Sequence, residues 1–270
     1  MVPPVNIVQA VVLGLVQGIT EFLPISSTAH LRIVPALLGW SDAGAAFTAV
    51  LQLGTLAAVV GFFLRDLLGM AKATLDPEQR RGPEARRLLY MIVGTFPIGI
   101  AGLLFKHSIE GPLRSPVVIA TSLIVVGLLM ALVEKLAAHR RGIDEMTMRD
   151  ALLIGFAQAL ALVPGVSRSG ITLVAAMALG LRRDAAARFS FLLSVPAIGA
   201  AGIFELKDVL RTPNLAGAPL LVGLLVAGVS GYLSIAWLLK FLRTRTTMPF
   251  VVYRVAMGAA LLLLIARGQL

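Results

Sequence analysis

The chain has 270 residues, 58% of them hydrophobic and 14% charged, with a formal net charge of +10 and a mean hydropathy of +0.90. A soluble domain carries about 25% charged residues. Apolar runs of roughly 18 residues or more therefore point to a helical bundle in a bilayer, and the short alternating segments of a transmembrane β-barrel are absent. There is no cysteine, which excludes disulfides, thiolate metal sites and cysteine nucleophiles.

The first hydrophobic segment, Ile7 to Phe22, is interrupted by Pro24 and a polar cluster before apolar sequence resumes to Leu38. Three longer segments follow, at about 44–64, 88–106 and 116–137. The pattern then starts again. Ala151 to Val163 is broken by Pro164-Gly165 and a second polar cluster, apolar sequence runs on to Leu181, and long segments follow at about 188–206, 217–239 and 249–266. Arms of about 12 to 16 residues reach only about 18 to 24 Å, short of a hydrocarbon core of roughly 30 Å. Each broken pair is therefore expected to be a re-entrant hairpin whose tip lies near mid-membrane, where irregular backbone must be enclosed by protein or line a wet cavity.

The two halves also match residue by residue. Gly14, Gln17 and Ser26 align with Gly155, Gln158 and Ser167 at one constant offset. Asp42, Ala43, Phe47, Thr48 and Leu51 align with Asp184, Ala185, Phe189, Ser190 and Leu193 at an offset one larger. Two blocks in the same order argue for an internal repeat. A hairpin makes no net crossing and three spans reverse the side, so the second copy must enter from the opposite face. The expectation is a single all-α integral membrane domain. It has six transmembrane helices plus two re-entrant helical hairpins in an inverted-topology repeat, with repeat 1 over about 5–140 and repeat 2 over about 148–270.

Most of the 24 Lys and Arg residues sit in the gaps 65–87, 135–149 and 240–245 or at Arg182, Arg183 and Arg188. The alternate side receives Lys106, Arg114, Lys207, Arg211 and Arg267. The basic gaps read as topology signals, not as a nucleic-acid surface, and place the richer side in the cytoplasm. The first hairpin then dips in from the outer face, the second from the cytoplasmic face, and both termini lie outside. No Lys or Arg precedes Arg32, so the basic n-region of a cleaved signal peptide is missing and the N-terminus is expected to stay in the mature protein.

The first tip runs from Gln17 to His30 through Glu21, Pro24, Ser26, Ser27 and Thr28. Gln17 and Glu21 share a helix face. A carboxylate inside a membrane costs at least about 2.5 kcal/mol and needs a cation or a proton. It could hold a metal or accept a proton, or merely pair with an arginine to fasten the hairpins. The second tip, Pro164 to Thr172, presents Ser167, Arg168, Ser169 and Thr172 ahead of a new half-helix. A helix N-terminus attracts anions, and a guanidinium fits phosphate oxygens. Ser and Gly also serve plain helix packing, the simpler reading for Gly170. A carboxylate, a histidine, hydroxyls and an arginine together form a kit for phosphoryl transfer, with His30 close enough to two serines to act as base or nucleophile.

Outside the tips, Asp42 and Asp184 read as N-caps. Gly54-Thr55 and Val195-Pro196 read as packing or kink sites. Arg254 is expected either to snorkel or to pair with Glu205.

The run Gln17 to His30 resembles the motif with Glu or Gln, three residues, Glu, then Pro-x-Ser-Ser-Thr-x-His. The run Pro164 to Thr172 resembles Pro-Gly-x-Ser-Arg-Ser-x-x-Thr. Both are motifs of the undecaprenyl-diphosphate phosphatases, also called bacitracin-resistance proteins, and the likeness extends over essentially the whole chain. The resemblance implies an enzyme of the bacterial plasma membrane, its site opening toward the outer face, that hydrolyses undecaprenyl diphosphate and so recycles a wall-polymer carrier. It implies a polyprenyl diphosphate substrate among membrane lipids and a divalent cation, Mg2+ or Ca2+; the sequence leaves a homodimer open. It places Glu21 at the metal-associated position, Ser27 and His30 as nucleophile and base, and Arg168 with Ser167, Ser169 and Thr172 in the phosphate-binding run, alongside Ser26 and Thr28. Gln17 stands where many members carry Glu. An amide is a weaker ligand for a hard cation, so Glu21 and the substrate are expected to carry more of the metal. Water as nucleophile stays open beside Ser27.

Two rivals bear weighing. A transporter or flippase of a polyprenyl phosphate would use the same architecture but has no need of Ser27, His30 and Arg168 beside an acid; phosphate release separates the two. An acid-phosphatase-like lipid phosphatase needs a further histidine after its Ser-Arg motif, and no histidine follows Arg168.

Overall fold

The computed structural model describes residues 5–41, 44–105, 112–210 and 217–268. The described residues are helical, with one isolated bridge between Arg141 and Leu181. The first half comprises α1 (Ile7–Phe22), α2 (Ser27–Leu37), α3 (Gly44–Phe62), α4 (Leu64–Leu75), α5 (Pro83–Leu104) and α6 (Pro116–Leu136). The second comprises α7 (Met148–Ala159), α8 (Arg168–Ala178), α9 (Arg183–Leu210), α10 (Ala218–Leu242) and α11 (Met248–Ala266).

Local chemistry sets the ends. Asn6 and Gln9 form a capping box at the start of α1, and Thr147 and Asp150 form one at the start of α7, each satisfying amides that a first turn leaves free. Pro83 and Pro116 open α5 and α6, where the missing N–H costs nothing. Each broken pair stops at the expected place: α1 ends before Pro24, and α7 ends in a 3-10 turn, Leu160–Leu162, before Pro164.

Among the described residues, five helices are long and apolar enough to cross a membrane: α5, α6, the Arg183–Gly202 part of α9, α10 and α11. A sixth span results if α3 and α4 are read as one broken element, bent by 69°. The basic gap 65–87 contains a helix, α4, that was not expected from the sequence. Its Met70 and Ala73 are buried, and Asp66 pairs with Arg188 of α9, so an amphipathic turn of chain is held against the bundle end. Large apolar side chains such as Phe96, Ile100, Leu128, Leu225 and Trp237 are exposed, as lipid-facing surfaces require. Asp184 lies inside the first turn of α9 and not ahead of it; Asp42, Lys106 and Arg211 lie outside the described residues. Gly54 is a close-packing site, since a Cβ there would meet the Leu224 carbonyl oxygen at 2.4 Å, and Pro196 falls within α9.

The halves interlock by exchange. The first hairpin's α1 packs along α10, whereas the second hairpin's α7 packs along α5. Both contacts close on paired glycines. A Cβ on Gly14 would lie 2.5 Å from the Gly223 carbonyl oxygen, and one on Gly155 would lie 2.5 Å from that of Gly94. These two were aligned by the repeat, and each lets a short helix touch backbone. Replacing either by valine forces the helices apart. We expect Gly14→Val and Gly155→Val each to lower stability by about 1–3 kcal/mol, read as a fall in melting temperature of the purified protein, with exposed Gly61→Val as the silent control.

Candidate active site

The site begins where the hairpin tips meet. In α1, Gln17 and Glu21 are buried on one face. The Gln17 Nε2 donates to Glu21 Oε2 at 2.9 Å. The chain then turns through Leu23 and Pro24, and α2 begins at Ser27, whose Oγ donates to the same Oε2 at 2.7 Å. From the other half, Arg168 at the start of α8 donates through Nη2 to Glu21 Oε1 at 2.9 Å. One carboxylate thus collects an amide, a hydroxyl and a guanidinium from both broken helices. Ser169 Oγ adds a bond to the Leu23 carbonyl at 3.1 Å.

The two entry serines share an uncommon backbone. Ser26 has φ 75° and Ser167 has φ 71°, left-handed values that a non-glycine residue holds only at a cost of about 1–3 kcal/mol. Each sits directly before the second helix of its broken pair, α2 or α8, and the two fall at one constant offset in the sequence. Ser167 Oγ caps α8 by accepting from the Gly170 amide at 3.1 Å and lies 3.2 Å from Ser169 Oγ. Ser26 Oγ is buried and has no partner.

The remaining expected residues divide. Thr28 is exposed and lines a cleft beside Ser27. Thr172 is fully buried, donates to the Arg168 carbonyl at 2.7 Å and meets Ser190 of α9, so its hydroxyl is committed within the fold. His30 does not join the Glu21 cluster. Its Nδ1 bonds the Ser26 carbonyl at 2.7 Å and its Nε2 meets the Tyr253 hydroxyl at 2.6 Å. A carbonyl only accepts, so Nδ1 carries the proton and Nε2 accepts from tyrosine.

Buried polar atoms without partners show what the site lacks. Gln17 Oε1, Ser26 Oγ and Arg168 Nη1 are all in this position. Two are oxygen donors beside the single carboxylate of Glu21, and the third is a cationic N–H suited to a phosphate oxygen. Among the described residues no three His, Asp or Glu side chains converge. The donors fit a hard divalent cation only if phosphate oxygens of a ligand complete its shell, a common arrangement for Mg2+.

A family model described as bacitracin resistance protein BacA matches residues 10–260 of the chain. The chain belongs to the BacA family. It is 55% identical over 270 residues to the undecaprenyl-diphosphatase of Myxococcus xanthus, covering 98% of this chain and 91% of that protein. It is 51% identical over 269 residues to an undecaprenyl-diphosphatase of a Nocardioides species, covering 98% of each chain. It is 50% identical over 272 residues to that of Synechococcus elongatus, covering 97% of this chain and 94% of the relative. With its long apolar helices, this BacA family member is a multi-pass membrane protein.

Arg254 of α11 holds the tips in place. It is fully buried, with 0% of its surface exposed. Its Nη1 donates to the Pro24 carbonyl at 3.0 Å, and its Nη2 reaches the Gly165 and Val166 carbonyls, each at 3.0 Å. Nε reaches the Leu123 carbonyl of α6 at 3.2 Å. The guanidinium therefore does not snorkel; the side chain of Glu205, its other expected partner, lies outside the described residues. Arg254 answers carbonyls that two broken helices leave unpaired. Tyr253 had no role expected from the sequence, and the snorkelling expected of Arg254 is overturned by its burial. A tyrosine and an arginine side by side within an apolar span was the available signal. We expect Arg254→Met to lose at least about 3 kcal/mol of stability, since it orphans buried carbonyls on both tips and α6. Thermal unfolding in detergent checks it.

Proposed function

We infer that this chain hydrolyses undecaprenyl diphosphate to undecaprenyl phosphate and inorganic phosphate. One observation carries the reading: the Glu21 carboxylate accepts from the Ser27 hydroxyl and from the Arg168 guanidinium at once. A hydroxyl bonded to a carboxylate is a nucleophile beside its base. The relatives bear the name of this activity, which does not favour the transporter reading.

Arg168 Nη1 takes a phosphate oxygen of the substrate. As the guanidinium turns to the phosphate, Glu21 Oε2 stays bonded to Ser27 Oγ and is placed to take its proton. Ser27 Oγ then attacks the terminal phosphorus while its proton passes to Glu21 Oε2. The bond from that phosphorus to the bridging oxygen breaks, and the lipid monophosphate leaves as the anion. Water hydrolyses the phosphoserine, phosphate departs, and the proton returns from Glu21 to Ser27 Oγ. His30 acts through the Ser26 carbonyl and fixes the start of α2, so it is a positioning residue here. The free N–H groups at the start of α8 and the Ser167 cap favour the anionic headgroup.

A divalent cation, Mg2+ or Ca2+, would be held by Glu21 and the Gln17 amide oxygen with the substrate phosphates, and it supplies neutralisation of their charge. The chain as a whole forms two repeats, about 5–140 and 148–270, of inverted topology with six spans and two re-entrant hairpins. The exchanged packing of α1 on α10 and α7 on α5 supports this, as do the matched serines at positive φ. The basic end, where Glu134 pairs with Arg183 and Asp150 with Arg141, faces the cytoplasm. The site then opens to the outer face of the plasma membrane, with both termini outside.

Phosphate release from the lipid diphosphate by purified protein is the test. Glu21→Ala and Arg168→Ala should each reduce kcat at least about a hundredfold while the protein stays folded; near-normal turnover in either sinks the reading. Ser27→Ala should match them, and a phosphoserine at Ser27 should be trapped on rapid quenching. Full activity of Ser27→Ala would instead assign the attack to water. Gln17→Glu should lower the cation concentration needed for half-maximal activity, because a second carboxylate binds a hard cation more tightly than an amide.

A further inference from the structure

A second cleft adjoins Ser27. Ser27, Thr28, Arg32, Gln52 and Arg114 line it. On α2, positions 27, 28 and 32 fall along one face, so the cleft continues from the attacking hydroxyl toward the outer end of the helix. Arg114 comes from the short turn Pro112–Arg114 ahead of α6. The Arg32 Nη1 donates to the Arg114 carbonyl at 3.0 Å, which ties the two residues to one cleft.

Their electrostatics set them apart. Seven described arginines are half-buried. Arg87, Arg141, Arg168, Arg183 and Arg188 each face a carboxylate. Arg32 and Arg114 have none among the described residues. Two partly desolvated guanidiniums on one cleft repel each other unless an anion lies between them. Planar forks with spare N–H groups, hydroxyl and amide side chains nearby, and no apolar floor beyond Leu31 select a tetrahedral oxyanion.

We propose that Arg32 and Arg114 form a phosphate-binding subsite beside Ser27, separate from Arg168. The subsite takes a phosphate group, either the inorganic phosphate once it is released or a phosphate still carried by the lipid. It rests on the phosphatase reading for which of these occupies it, and on geometry alone for binding the ion. The cleft places both arginines beside Ser27, where phosphate leaves or enters the site.

The test uses the full chain in detergent, with inorganic phosphate as the probe. Phosphate should raise the wild-type melting temperature in a saturable way. Arg32→Gln and Arg114→Gln should each weaken this apparent affinity about tenfold, the loss expected for one charge-assisted contact. Arg114→Lys should recover part of it, and exposed Arg65→Gln should leave it unchanged. Wild-type affinity in both glutamine variants, or a loss equally large in Arg65→Gln, overturns the subsite.

Kinetics then distinguishes the source. If the occupant is released phosphate, the inhibition constant for phosphate rises in the variants with KM for the lipid diphosphate unmoved. If it is lipid-borne, KM rises instead. Absence of any wild-type turnover would remove the phosphatase reading, while the binding measurement still decides the subsite. Should Arg32→Gln lower the melting temperature without phosphate, Arg114→Gln alone carries the comparison, because it sits on a surface turn.

Discussion

A carboxylate and a guanidinium, each carried to the middle of a helical bundle by a broken helix, depend on one another there. Neither Glu21 nor Arg168 has water enough to hold its charge, with side chains only 6% and 13% exposed. In a low-dielectric setting an unpaired charge is driven to neutralise or to move. Their contact therefore fastens two hairpins that are far apart in the chain. The same contact is exchangeable. A phosphorylated headgroup offers Arg168 a richer acceptor than one carboxylate oxygen, and Glu21, once released, is already bonded to Ser27. Burial that makes the pair necessary thus also prepares both partners for an anionic substrate.

Broken helices leave carbonyls and amides without partners, and a membrane interior supplies none. The fold meets this with side chains. Arg254 reaches the carbonyls of Pro24, Gly165 and Val166 from outside both hairpins. Ser167 caps α8, and Ser169 bridges to Leu23. The strained serines at 26 and 167 then cost energy that this network must offset. Such strain persists only where surroundings over-determine it, and here both instances stand at the entry to a site-bearing helix. Glycine contacts at Gly14 and Gly155 set how closely the short arms can approach their partner spans. That spacing fixes where the tips meet.

Charge is also divided along the molecule. At one end, arginines are satisfied: Arg183 by Glu134, Arg141 by Asp150, Arg188 by Asp66. These pairs tie α4, α6, α7 and α9 together and are partly exposed, so each adds little alone. Around Ser27, Arg32, Arg114 and Arg168 face one carboxylate among the described residues, that of Glu21. A region that must receive and release a multiply charged anion gains from such an excess.

Sequence alone determined the helical class, the two broken segments, and the residues of both tips. It could do so because hydropathy and proline placement are local, and because an ionisable residue in an apolar run is rarely without purpose. Glu21, Ser27 and Arg168 were legible for that reason. The partner of each was not. His30 was read beside Ser27 and instead binds Ser26 and Tyr253; Arg254, where snorkelling was one expectation, is buried and clasps both tips. The extra helix Leu64–Leu75 hid in a basic gap, since its amphipathic face acquires meaning only against α5. Which atoms meet across more than a hundred residues depends on how close two helices come and on which face each presents. Single glycine contacts and backbone angles set both, and they belong to the packed molecule, not to any one segment of chain.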